Sequence, residues 1–269
     1  MILMDAILKY PGAKWRIADW IIDHFPEHHS YLEPFFGSGA VFFHKPRSNI
    51  ETINDLDGEG VNFFECVRAD PERIAHEVFF TPYSREVYTA AYEGAIPEDP
   101  FARAIRFMVC CNMGYGFRTN GVWVGWKYDI AGRERAYTAR AWANLPEVVI
   151  ETAARLREVQ IENCDAAELI RRFNNPNVLV YCDPPYVMST RYGKQYKCEM
   201  TNDDHVELLD TLKRHKGPVV ISGYQSELYD QELAGWRKDT TTSADQLSQV
   251  KSEVLWMNFD PPEQMRLDL

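Results

Sequence analysis

Residues 178–186 read Val178-Leu179-Val180-Tyr181-Cys182-Asp183-Pro184-Pro185-Tyr186, an apolar, β-branched run that stops at an acid and two prolines. A continuous run of this length, closed by residues that cannot extend a ladder, is the pattern of a strand buried on both faces. The prolines remove two backbone donors and stiffen the chain where the strand ends. Val219–Ser222 (VVIS) and Val254–Phe259 (VLWMNF) are similar runs, and Asn49–Asn54 (NIETIN) reads as a short strand ending at Asp55. Helical stripes accompany them at Lys14–Phe25, Ala166–Phe173 and Asp203–His215. Strands alternating with helices predict an α/β fold on a mostly parallel sheet. In such sheets ligands bind beyond the carboxyl ends of the strands, so Asp183–Tyr186 is the first place to look for chemistry.

The rest of the composition is that of an ordinary globular chain. Its 269 residues are 45% hydrophobic and 26% charged, which excludes a disordered or fibrous protein. No apolar run approaches the ~18 residues of a membrane span. The opening MILMDAILKY carries Asp5 and no basic start, so no secretory signal is expected. Six cysteines without CxxC spacing predict reduced thiols in a cytoplasm. The net charge of −11 opposes a polyanionic partner on average, but the charge is uneven. Residues 51–100 balance to −9, whereas Arg103, Arg106, Arg118, Lys127, Arg133, Arg135 and Arg140 take residues 101–140 to +5. Between Asp57 and Val159 the strand–helix rhythm breaks, with Gly114, Gly116, Gly121 and Gly125 spaced among aromatics. This predicts an inserted, mainly helical domain over residues 61–159, within a second domain made of residues 1–60 and 160–269.

Three segments suggest a site. Asp183-Pro184-Pro185-Tyr186 offers a carboxylate, a free proline carbonyl and an aromatic face, which suit a flat base bearing an exocyclic amine; a proline-stiffened turn with a capping Asp is the alternative. Glu33-Pro34-Phe35-Phe36-Gly37-Ser38-Gly39 lets backbone approach a ligand closely, or is simply a tight turn. It lacks the third glycine of a dinucleotide fingerprint and any GK[ST], which disfavours a phosphate loop. Asn54-Asp55-Leu56-Asp57 follows Gly39 at the next strand end, where Asp55 either accepts both hydroxyls of a ribose or caps a helix.

With these segments in this order, the chain resembles the Dam-type (D12 class) DNA adenine-N6 methyltransferases. Lys9-Tyr10-Pro11-Gly12-Ala13-Lys14 is similar to that family's opening K-W/Y-x-G-G-K motif, with Ala13 in place of the second glycine. EPFFGSG is similar to its EPFxGxG loop, NDLD to its acidic motif and DPPY to its catalytic motif. Lys251-Ser252-Glu253-Val254-Leu255 is similar to its C-terminal K-x-E-x-L strand. Residues 112–128 match the DNA-contacting loop only loosely.

The resemblance implies a Rossmann-like class I S-adenosylmethionine-dependent methyltransferase sheet with an inserted recognition domain. It implies S-adenosyl-L-methionine as methyl donor, no metal, and double-stranded DNA as the partner of a cytoplasmic, bacterial or phage-encoded monomer. The cofactor residues it implies are Tyr10, Lys14, Phe35, Gly37, Gly39, Asp55, Asp165 and Asp183, with a capping role open for Asp165. Asp183, Pro184, Pro185 and Tyr186 are the implied catalytic corner, gripping and stacking on a flipped adenine. Arg118, Asn120, Lys127, Arg191 and Lys194 are the candidates for DNA contact, against solvated loops as the alternative. Cys110-Cys111 reads as core, and His28-His29 as a solvated pair. Methylation of RNA or another amine, or a silent DNA-binding relic, remain competing functions.

Overall fold

In a computed structural model, residues 5–130, 138–191, 193–244 and 250–261 are described. The chain forms α1 (Ala18–Ile22), β1 (Ser30–Glu33), α2 (Ala40–His44), β2 (Ile50–Asn54), α3 (Gly58–Ala69), α4 (Pro71–Phe80), α5 (Arg85–Glu93), α6 (Pro100–Met113) and α7 (Thr138–Leu156). It continues with β3 (Val159–Glu162), α8 (Ala166–Arg172), β4 (Val178–Cys182), α9 (Asn202–Lys213), β5 (Val219–Tyr224), α10 (Glu227–Glu232), β6 (Arg237–Ala244) and β7 (Val250–Met257). The strands join one seven-stranded sheet in the order β3-β2-β1-β4-β5-β7-β6. Only β7 runs against its neighbours, antiparallel to β5 and β6. This is a mixed α/β sheet, parallel through β3-β2-β1-β4-β5.

The period-2 pattern of the strands makes two core layers. In β4, Leu179 and Tyr181 face one side, with Ile53, Val220 and Leu255. Val178, Val180 and Cys182 face the other, with Ile221, Val254 and Trp256. Helices α8 and α9 cover the second face through Leu169, Leu208 and Leu212. The first face continues without a break into the helices between β2 and β3, through Phe63, Phe64, Val149 and Leu156. The helical segment therefore shares the sheet's core instead of closing one of its own. Its first four helices start where the sequence supplies caps: Asp57, Asp70, Ser84 and Asp99 each accept a first-turn N–H, and Pro71 and Pro100 stand in the first turns.

Three elements differ from the sequence reading. The stripe from Lys14 gives helix only at Ala18–Ile22, because Ile17 N–H bonds Lys14 O in a turn and the Lys14 ammonium is drawn back to Gly12 O. The last strand ends at Met257, where Asn258 turns its amide to Val219 N and Gly217 O. Polar RKDTTTSA is an edge strand, β6, with no apolar run to announce it. Cys110 and Cys111 are buried in α6. His28 is half-buried, held between Pro26 O and Ser48 Oγ, which corrects its reading as solvated; His29 is exposed. Among the described residues no helix is long and apolar enough to cross a membrane.

Candidate active site

β1 lies between β2 and β4, so connections leave it to opposite sides and a crevice opens at the strands' carboxyl ends. A cavity of ≈ 250 Å³ occupies that crevice. Its walls carry Tyr10–Lys14, Glu33–Ser38, Asn54–Asp57, Asp165, Tyr181, Asp183 and Pro185. Thus most of the residues singled out for cofactor and catalysis meet at one place, and none of those singled out for DNA contact lines it.

Asp183 is the first residue beyond β4, its side chain 18% exposed. Its Oδ2 accepts from Lys14 Nζ at 2.8 Å and its Oδ1 from Ser222 Oγ at 2.9 Å. Burial works against the Lys14 charge, but Asp183 and Glu253 outweigh it and raise the lysine's pKa. Lys14 also stands 4.8 Å over the Tyr186 ring. Tyr186 Oη donates to Glu253 Oε2 at 2.7 Å, and its ring meets Tyr224 edge-on at 4.5 Å. Burial, Asp183 and Glu253 push the Tyr186 phenol well up, so it stays neutral. Pro184 is buried, and Pro185 is half-buried.

The glycine loop is the other half of the cleft. Gly37 takes φ +51° and its N–H donates to Asp55 Oδ2 at 2.8 Å, while Asp57 N–H donates to Oδ1 at 2.9 Å. Burial nonetheless raises the Asp55 pKa to about 6 against these backbone bonds. A Cβ on Gly37 would sit 3.3 Å from the Tyr10 ring, so the loop passes directly beneath that aromatic. Phe35 is half-buried on the wall. Glu33 is buried, accepts from Tyr31 Oη, and is raised by burial to about 8. Asp165 lines the cavity and caps α8 through Glu168 N–H, so the capping role is present and the residue also stands on the cavity wall.

Several expectations change. Gly39 does not line the cavity; at φ +69° it begins α2, where a Cβ would strike Phe36 and Phe43. The positive φ of the opening motif falls on Gly12 at +73°, which is the glycine the chain retains beside Ala13. Arg191 is corrected as a DNA clamp: its side chain is 6% exposed and bonds Glu199, Tyr186 O and Gly193 O. Asn120 is likewise committed to the chain, donating to Lys194 O and accepting from Val122 N–H. Arg118 and Lys194 are exposed, and Lys127 is half-buried. Arg133 and Arg135 lie outside the described residues.

Sequence reading missed the strap formed by residues 193–200. Glu199 accepts from the N–H groups of Gln195 and Tyr196, and Tyr196 Oη donates to Pro11 O, so Tyr196, Cys198 and Met200 roof the cavity. Thr119 ties the glycine-aromatic loop to this strap through Gln195 O and Lys197 N–H. It also missed Ser222, visible only through the β4–β5 register, and Lys9, quoted within a motif but given no role. Burial, with the nearby Lys127 adding to it, lowers Lys9 to about 8.

The cleft fits the cofactor that the sequence implied. Its acceptor carboxylates would suit a ligand rich in donors and positive charge, and glycine backbone runs under an aromatic shelf. The family model described as D12 class N6 adenine-specific DNA methyltransferase matches residues 10–243. The chain belongs to this family. Relatives of this D12 class chain include the DNA adenine methylase of Salmonella typhi, 27% identical over 236 residues, covering 83% of this chain and 82% of that protein. The DNA adenine methylase of Escherichia coli strain K12 is 26% identical over 237 residues with the same coverage. Among solved structures, a SAM-dependent methyltransferase from Agrobacterium tumefaciens aligns with TM-score 0.39 at 12% identity, over 91% of this chain and 61% of that one. The D12 chain is therefore a member of a family of adenine-specific DNA methyltransferases.

Proposed function

We propose that this enzyme methylates the exocyclic N6 of an adenine extruded from a specific site in duplex DNA. The observation that carries the reading is Asp183, fixed on both carboxylate oxygens at the mouth of a cavity that it shares with Gly37 and Asp55. When bound, S-adenosylmethionine supplies a sulfonium methyl as the electrophile. Tyr10, Phe35, Gly37, Asp55, Asp165 and Lys14 would hold it, with Asp55 accepting from ribose hydroxyls.

Adenine's amine is a poor nucleophile because its lone pair is delocalised into the ring. Each Asp183 oxygen accepts one bond already and keeps a further lone-pair site for an N6 hydrogen. The Pro184 carbonyl would take the other hydrogen, turning the nitrogen towards a pyramidal shape. These fixed acceptors stabilise the positive charge that grows on N6 in a site shielded from water. Tyr186, its hydroxyl held by Glu253, would offer a ring face to the unpaired base, which cannot be reached inside the duplex.

The target-reading part is the segment between β2 and β3, the expected domain of residues 61–159. Its loop exposes Tyr115, Val122, Trp123 and Tyr128 beside Arg118, with Lys9, Lys127 and Lys194 as further cations for phosphates. Expression in a methylation-free host, followed by single-molecule sequencing, tests the proposal. N6-methyladenine in one recurring context is expected. Methylated RNA without methylated DNA, or no methylation, overturns it.

A further inference from the structure

Asp183 needs more than a place at the strand end, because a carboxylate on a free χ2 can present its lone pairs in many directions. Two groups hold it. One is Lys14, a charged side chain from the opening loop. The other is Ser222, from the strand next door. Cys182 pairs with Ile221 in the parallel β4–β5 register, which sets Ser222 beside the first residue past β4. Both strands are buried, so that register cannot slip without turning apolar side chains outward.

The hydrogen-bond accounting at Ser222 has one solution. Ser222 Oγ lies 2.9 Å from Asp183 Oδ1, 2.9 Å from Tyr181 Oη and 3.4 Å from Cys182 O. An ionised carboxylate only accepts, so the single serine proton goes to Oδ1. The serine oxygen is then the acceptor, and the Tyr181 hydroxyl must be its donor. Tyr181 and Ser222 are each 1% exposed, so water does not compete. Burial and Asp183 push the Tyr181 phenol well up, which keeps it a donor at any working pH.

We propose that Ser222 is a positioning residue for methyl transfer, the last link of a one-way chain from Tyr181 through Ser222 to Asp183. The inference rests on the role proposed above for Asp183. It assigns the relay to two residues outside the four-residue corner, one just before it in β4 and one in β5. Because Lys14 reaches Asp183 from a loop whereas Ser222 reaches it from a buried strand, the serine is the stiffer of the two constraints. Misplacing a reacting group by about 1 Å can cost 10²-fold in rate.

The test compares Ser222→Ala, Ser222→Thr, Tyr181→Phe and the Ser222→Ala/Tyr181→Phe double variant. Rates are read on whichever nucleic-acid amine the wild type methylates, with cofactor calorimetry and thermal unfolding alongside. Ser222→Ala is expected to lower kcat by roughly 30- to 100-fold, with the KM for nucleic acid and the cofactor Kd within about twofold. Ser222→Thr, which keeps the hydroxyl, should recover to within about fivefold. Tyr181→Phe should cost about threefold alone and nothing more once Ser222 is alanine. A crystal structure of Ser222→Ala should show the Asp183 carboxylate rotated from its wild-type plane. An unrotated carboxylate, a kcat within about twofold of wild type, or an undiminished Tyr181→Phe effect in the double variant would overturn the relay. So would a loss that follows cofactor Kd or melting temperature. A wild type that methylates another amine refutes the adenine reading but leaves these ratios to decide the relay.

Discussion

Residues 33–57 and residues 114–130 both mix glycines with aromatics, yet they fold to opposite ends. In the first, Gly37 and Gly39 take positive φ, Phe36 is buried, and Asp55 fastens the loop through the Gly37 N–H. In the second, Tyr115, Trp123 and Tyr128 are about half exposed, and Ile130 is 87% exposed. The first is a cradle finished by its own backbone. The second is a half-exposed aromatic surface, with Trp123 packed on Tyr88 and Tyr92 and Trp126 stacked on Tyr128, and it is the face proposed above to meet DNA. An enzyme that always binds one small cofactor can preorganise that half, whereas a DNA-facing half gains its burial on binding.

This contrast predicts where substitutions act. The largest effect belongs to the cradle's neighbour: Asp183→Ala should cut kcat by roughly a thousandfold or more while thermal unfolding stays cooperative. Substantial activity in a folded variant would remove Asp183 from the chemistry.

Next is Asp55→Asn, expected to weaken cofactor binding by about 10- to 100-fold in calorimetry. Asp55 ionises at about 6, so wild-type cofactor affinity should fall as pH drops through that value. The variant should show no such dependence, and a parallel pH curve would unseat the ribose assignment.

On the open side, Arg118→Ala should weaken DNA binding by about tenfold and reduce the slope of log K against log salt by about one. Cofactor affinity should not change. Equal losses for both ligands would erase the division between the regions.

The smallest effect is on stability. Burial raises Glu33 from 4.5 to about 8, so between those values the folded chain holds a proton that the unfolded chain has released. Stability should therefore decline as pH rises from 4.5 to about 8, then level off. Chemical denaturation of Glu33→Gln should show a shallower decline over that window, and identical slopes would refute the burial cost.

How far these features could be read in advance differs residue by residue. Val178–Cys182 gave its strand away because burial on both faces leaves a continuous apolar run. Asp183, Asp55 and Gly37 could be named because strand ends and glycine turns carry local signals. Arg191 could not be read correctly. An arginine in a polar loop looks like a phosphate contact until Glu199, eight residues on, folds back onto it. β6 was invisible for a related reason, since an edge strand with one weakly buried face needs no hydrophobic pattern.

The sequence alone determined the α/β class and brought forward the carboxyl end of β4 as the place to look for chemistry. Each follows from interactions within a few residues of chain. Tertiary structure decided which cations face solvent, which glycine carries the strained turn, and that Ser222 stands next to Asp183. Those depend on strand register and on loops meeting across the crevice, and groups 39 residues apart acquire a shared hydrogen bond only when the sheet brings them together.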